Sequence, residues 1–103
     1  MKHNAILNQN ILVIDDHKTM IRIIVRLMQE VGFKNIDTAT DGTEALQKIS
    51  ETDYALIVSD WNMEPMTGID LLKKVRANEK TKSIPFIMVT AESKTENVIA
   101  AKK

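Results

Sequence analysis

The residues of this chain equipped for chemistry are three aspartates and a threonine, each standing where a short apolar run ends. Asp15 and Asp16 follow Ile11-Leu12-Val13-Ile14, Asp60 comes one serine after Ala55-Leu56-Ile57-Val58, and Thr90 closes the run that begins at Ile84. An uninterrupted run of this kind reads as a strand buried on both faces. A carboxylate at the mouth of such a strand is costly unless a cation meets it. If the first and third runs are neighbouring strands, the three acids converge in one crevice, and like charges that close either raise a pKa or recruit a cation. A small set of hard oxygen ligands, with room left for water and phosphate, suits Mg²⁺ better than Zn²⁺. Thr90 adds a hydroxyl at the same rim. Each element alone also fits a helix cap or a strand-end residue bonded to local backbone. Their conjunction in order is the stronger signal. His17 follows the acid pair with no second histidine near it and reads as a solvated loop residue.

The elements that must position these groups alternate. After the first strand, Lys18 to Val31 switches to helical spacing, with Met20, Ile24, Leu27, Met28 and Val31 on one face and Gly32 as the stop. Phe33 to Thr40 alternates as a weaker strand, and Asp41-Gly42 signals a turn. Thr43 to Glu51 is a short helix with Thr43 as its candidate cap. The third strand, Tyr54 to Asp60, leads into a polar loop from Met63 to Gly68. Ile69 to Asn78 reads as a helix with Ile69, Leu72 and Val75 inward and Lys73, Lys74 and Arg76 solvated, as Arg22 and Arg26 are on the first helix. Ile84 to Val89 is a fourth strand, its proline tolerable near the start, and Lys94 onward begins a fourth helix. Strict β-α alternation with buried strands predicts an α/β fold: a doubly wound parallel sheet with helices on both faces and its ligand site at the carboxyl ends of the strands.

Composition narrows the functional classes. The 103 residues suffice for one small domain, and 14 Lys plus Arg balance 14 Asp plus Glu, so no global field draws nucleic acid or an anionic membrane. There is no cysteine, hence no thiolate zinc site and no cysteine nucleophile, which fits a reducing cytoplasm. No run approaches the roughly 18 apolar residues of a spanning helix. Residues 1–10 hold no signal-peptide core and read as a flexible start before a domain at 11–103.

Ile11 to Asp16, Ser59-Asp60-Trp61-Asn62-Met63 and Met88-Val89-Thr90-Ala91-Glu92 together resemble a response-regulator receiver domain, flavodoxin-like in fold, and specifically its CheY-type single-domain chemotaxis branch. Trp61-Asn62-Met63 and Glu96 to Ala101 are more particular to that branch than the acids are. The resemblance implies the family's strand order 2-1-3-4-5, with Asp60 as phosphoacceptor and Thr90 as switch hydroxyl. It further implies Mg²⁺ held by Asp16, Asp60 and the backbone carbonyl of Asn62, with Asp15 acting mainly through a water on the metal. Asn62 and Glu92 would tune dephosphorylation. The phosphodonor would be a sensor histidine kinase and the output partner a flagellar motor switch protein, with no enzymatic turnover of other substrates.

Two features depart from the family pattern. Pro65 stands one place later than usual, in Glu64-Pro65-Met66-Thr67-Gly68. The sequence also reaches Lys103 inside the expected fourth helix, before the fifth strand, its phosphate-pairing lysine and the last helix. The expectation is therefore a C-terminally incomplete (βα)₅ receiver whose fourth strand, as an exposed edge, invites dimerisation or swapping. Two alternatives stay open: a receiver-like interaction module that is never phosphorylated, and a Mg²⁺-dependent phosphohydrolase of the haloacid-dehalogenase type. The latter wants Asp-x-Asp where this chain has Asp60-Trp61-Asn62.

Overall fold

A computed structural model describes residues 7–61, 63 and 66–89. Among the described residues, four strands, β1 (Asn10–Ile14), β2 (Asn35–Ala39), β3 (Leu56–Asp60) and β4 (Phe86–Val89), alternate with three helices, α1 (Lys18–Val31), α2 (Gly42–Glu51) and α3 (Gly68–Ala77). All pairings are parallel and the sheet order is β2-β1-β3-β4. This is the doubly wound fold expected. The helix expected from Lys94 onward falls outside the described residues. No helix among them is long and apolar enough to cross a membrane.

The apolar strand runs work as read. Ile11, Leu12, Val13 and Ile14 are fully buried, alternating between two cores. Leu12, Ile14 and Ile57 face α2 and α3 through Ala45, Ile49, Leu71 and Val75. Ile11, Val13 and Val58 face the side of α1, against Ile24, Val25 and Met28. Four buried side chains in sequence are possible only for a strand covered on both sides.

The helix faces are shifted from those expected. On α1 the inward set is Ile21, Ile24, Val25 and Met28, while Leu27 and Val31 are exposed. So many of its residues are apolar that more than one helical stripe fits, and contact with the sheet selects among them. On α3 Leu71 and Val75 are buried with Gly68, whereas Ile69 and Leu72 are only half-buried. The cap of α2 is Asp41 rather than Thr43: its Oδ1 accepts from the backbone N–H of Glu44 at 2.8 Å. Thr67 caps α3 in the same way, with Oγ1 accepting from Asp70 N–H at 3.1 Å.

Arg76 is more than a solvated charge. Its Nη1 donates to the carbonyls of Lys82 at 2.9 Å and Ile84 at 2.7 Å. Buried Thr81 donates to the Val75 carbonyl at 2.7 Å. Together these bonds fix the connection that delivers β4 to the sheet.

Tyr54, 5% exposed, donates to Asp37 Oδ2 at 2.7 Å. Burial first, and then the bond to Asp37, push its phenol up to about 12. It is the only tyrosine, so phenolate absorbance reads it alone. The expected titration midpoint is near 12. Because the folded value lies above the ordinary one of about 10, the stability that neutral Tyr54 contributes is complete below pH 10 and disappears as pH rises toward 12. A midpoint at the ordinary value would show the phenol to be solvated and the bond to Asp37 absent.

Candidate metal and phosphoacceptor site

The strand order reverses between β1 and β3, because β1 continues outward to β2 while β3 continues the other way to β4. The parallel register sets Ile14 against Ser59. One residue further along each strand stand Asp15 and Asp60, side by side at the switch point where doubly wound sheets bind ligands.

Backbone bonds hold both acids. The N–H of Asp15 donates to the Ala39 carbonyl at 3.1 Å, fastening it to the end of β2. Its Oδ1 accepts from the N–H of His17 at 2.9 Å, closing a tight turn into α1. Asp60 is the last residue of β3 and pairs with Val89. Beyond it, Trp61 N–H donates to the Val89 carbonyl and the Trp61 carbonyl accepts from Gly68 N–H, both at 3.0 Å. Gly68 sits so close that a Cβ there would collide with the Asp60 carbonyl oxygen. The glycine is therefore part of what lets the strand end and the start of α3 approach.

Asp15 is 3% exposed and Asp60 8%. Asp16 is turned outward. The structure brings Asp15, Asp16 and Asp60 together as the sequence predicts, and adds His17: one ligand atom from each of the four lies within 4.8 Å of the others. His17 Nδ1 is 2.8 Å from Asp16 Oδ1 and 3.2 Å from Asp15 Oδ1. Its side chain is 75% exposed, as a loop residue's would be, yet the ring leans on the acids. The hydrogen bond with Asp15 and then the charge of Asp16 hold the imidazole pKa above its ordinary value. The only sequence signal for this was adjacency to the acid pair. Thr90 and Asn62 lie outside the described residues.

The donor set fits a small hard divalent cation. Three carboxylates from two strand ends offer oxygen ligands at one point, as Mg²⁺ requires, with one exposed side left for water or a substrate's phosphate.

A doubly wound parallel sheet with a carboxylate cluster at its switch point defines an α/β protein whose acidic groups gather at its strand ends. The chain belongs to the response regulator receiver domain family, whose model matches residues 11–103. It is 48% identical over 99 residues to chemotaxis protein CheY-3 of Vibrio cholerae serotype O1, a match covering 94% of this chain and 76% of that protein. It is 50% identical over 91 residues to chemotaxis protein CheY of Pseudomonas aeruginosa, covering 88% and 73%. Among solved structures, the chemotaxis response regulator CheY4 of Vibrio cholerae superposes with a TM-score of 0.78 at 31% identity, over 91% of this chain and 80% of that one.

Proposed function

We propose that this chain is the receiver of a two-component chemotaxis pathway, in which Asp60 accepts a phosphoryl group from a phosphohistidine on a sensor histidine kinase. The observation that carries the reading is the convergence of Asp15, Asp16 and Asp60 within 4.8 Å at the switch point. The identity to proteins named for chemotaxis supports the pathway. On this reading the protein works in the cytoplasm and its output is docking, on a flagellar motor switch protein.

Asp15, Asp16 and Asp60, with the backbone carbonyl of Asn62, would hold Mg²⁺, which when bound offsets the negative charge of carboxylates and phosphoryl oxygens. A carboxylate oxygen of Asp60 attacks phosphorus opposite the P–N bond. The P–O bond forms, the P–N bond breaks, and its electron pair leaves with the imidazole nitrogen, giving an acyl phosphate. The backbone bonds on either side of Asp60 keep the carboxylate aimed during attack. The Thr90 hydroxyl donates to a phosphoryl oxygen and so couples phosphorylation to the shape of the β4 end.

Incubation with a small-molecule phosphodonor and Mg²⁺ should add about 80 Da by intact mass. The adduct should disappear in Asp60→Asn and on chelation of the metal. Persistence of the adduct in Asp60→Asn, or no adduct in the wild-type chain, would sink the assignment, the second result pointing to a passive interaction module. Steady turnover of unrelated phosphoesters would point to a phosphohydrolase instead.

A further inference from the structure

We propose that His17 is a fourth ligand of the acidic pocket and tunes it toward imidazole-preferring divalent ions such as Ni²⁺, Co²⁺ and Zn²⁺. The inference rests on the reading of that pocket as a metal site, and concerns which ions it prefers.

The geometry argues for it. Adjacent ligands on an ion with metal–ligand distances of about 2.1 Å, set at right angles, are about 3.0 Å apart. His17 Nδ1 lies 2.8 Å from one Asp16 oxygen and 3.2 Å from one Asp15 oxygen, bracketing that separation. Both carboxylates approach the same nitrogen. A single N–H directs its proton well at only one acceptor, whereas an ion set between the three atoms engages all of them at once. Asp60 completes the group, with every ligand atom within 4.8 Å of the rest.

The local backbone prepares the ring for this use. His17 occupies the N-cap position of α1 but makes no side-chain capping bond, a position where Ser, Thr, Asp or Asn would serve the helix better. Its backbone N–H is instead tied to Asp15 Oδ1 at 2.9 Å, so the turn that positions the acid also positions the imidazole. The exposed ring leaves one side of the site open to an arriving hydrated ion.

The chemistry sets the selectivity. Imidazole nitrogen raises affinity along the series toward Ni²⁺ and Cu²⁺ and for Zn²⁺, while Mg²⁺ draws little from nitrogen and keeps its waters. His17 should therefore add much to transition-ion binding and little to Mg²⁺ binding.

Calorimetric titration of the full chain with Ni²⁺ and, separately, with Mg²⁺ tests this in the wild type and in His17→Gln. The chain has two histidines, so His3→Gln is the control for a surface site. The expected result is a loss of about tenfold or more in Ni²⁺ affinity in His17→Gln, with Mg²⁺ affinity within about twofold and His3→Gln unchanged. Retained Mg²⁺ binding also shows the variant to be folded. Unchanged Ni²⁺ affinity overturns the proposal, as does a rise in Mg²⁺ affinity, which would make His17 a counter-ion displaced by metal. Absence of Mg²⁺ binding in the wild type would sink the metal reading of the proposed function. A His17-dependent Ni²⁺ signal in that same protein would still support the ligand role.

Discussion

Asp15→Asn should make the metal-free protein more stable and, by the same change, blunt its response to Mg²⁺. Asp15 is buried, and its ligand oxygen lies within 4.8 Å of those of Asp16 and Asp60. At an effective dielectric constant of about 20, two unit charges about 5 Å apart repel by about 3 kcal/mol. His17 offsets part of this, so the expected net gain is about 1–2 kcal/mol. Asparagine keeps the side-chain oxygen that accepts from the His17 N–H at 2.9 Å, so the turn into α1 survives. Urea denaturation without metal measures the gain. Repeated with Mg²⁺, the wild type should gain about 1.4 kcal/mol for each tenfold excess over its dissociation constant. The variant should gain less than half as much. A variant less stable than the wild type without metal would mean that Asp15 is retained for structure rather than for binding.

Gly68→Ala should cost about 2–4 kcal/mol and disable the site together with the fold. The new Cβ would collide with the Asp60 carbonyl oxygen, and would lie 3.2 Å from Trp61 Cα and 3.0 Å from Met88 Sδ. Met88 can turn away, being a flexible side chain. The backbone of Asp60 and Trp61 cannot, because it is pinned to Val89 on one side and to Gly68 itself on the other. Relief must come from separating α3 from the end of β3, which moves Asp60. Denaturation should show the stability loss, and the rate of phosphodonor adduct formation should fall by at least about tenfold under conditions where the variant remains folded, since small misplacement of a nucleophile is enough for that. A stability change below about 0.5 kcal/mol would show that the two segments are not held as closely as described.

These two residues mark different kinds of legibility. Asp15 was readable because a carboxylate after Ile11–Ile14 contradicts its surroundings, and such a contradiction is visible in one dimension. Gly68 was readable only as loop punctuation. Its close approach to the Asp60 carbonyl depends on α3 folding back over β3, which no local pattern encodes. The faces of α1 fall between. Its apolar residues were plain, but Leu27 and Val31 emerge exposed while Ile21 and Val25 turn inward. A helix rich in apolar residues carries several stripes of near-equal quality, and the sheet beneath decides which is covered.

What the sequence determined by itself was the order of elements and the placing of acids at strand ends. Both follow from local rules: strand and helix periodicities differ, and a charged residue ends a buried run. Local pattern left open which strands are neighbours; the tertiary structure places β1 beside β3, as the family resemblance implied, and so brings Asp60 to the Asp15-Asp16 pair. Parallel pairing joins residues far apart in sequence through a crossover, so adjacency depends on how the whole sheet closes. It decided likewise that the His17 ring, largely exposed as it is, leans onto Asp15 and Asp16. That orientation depends on a turn of a few residues whose outcome is set by the acids it meets.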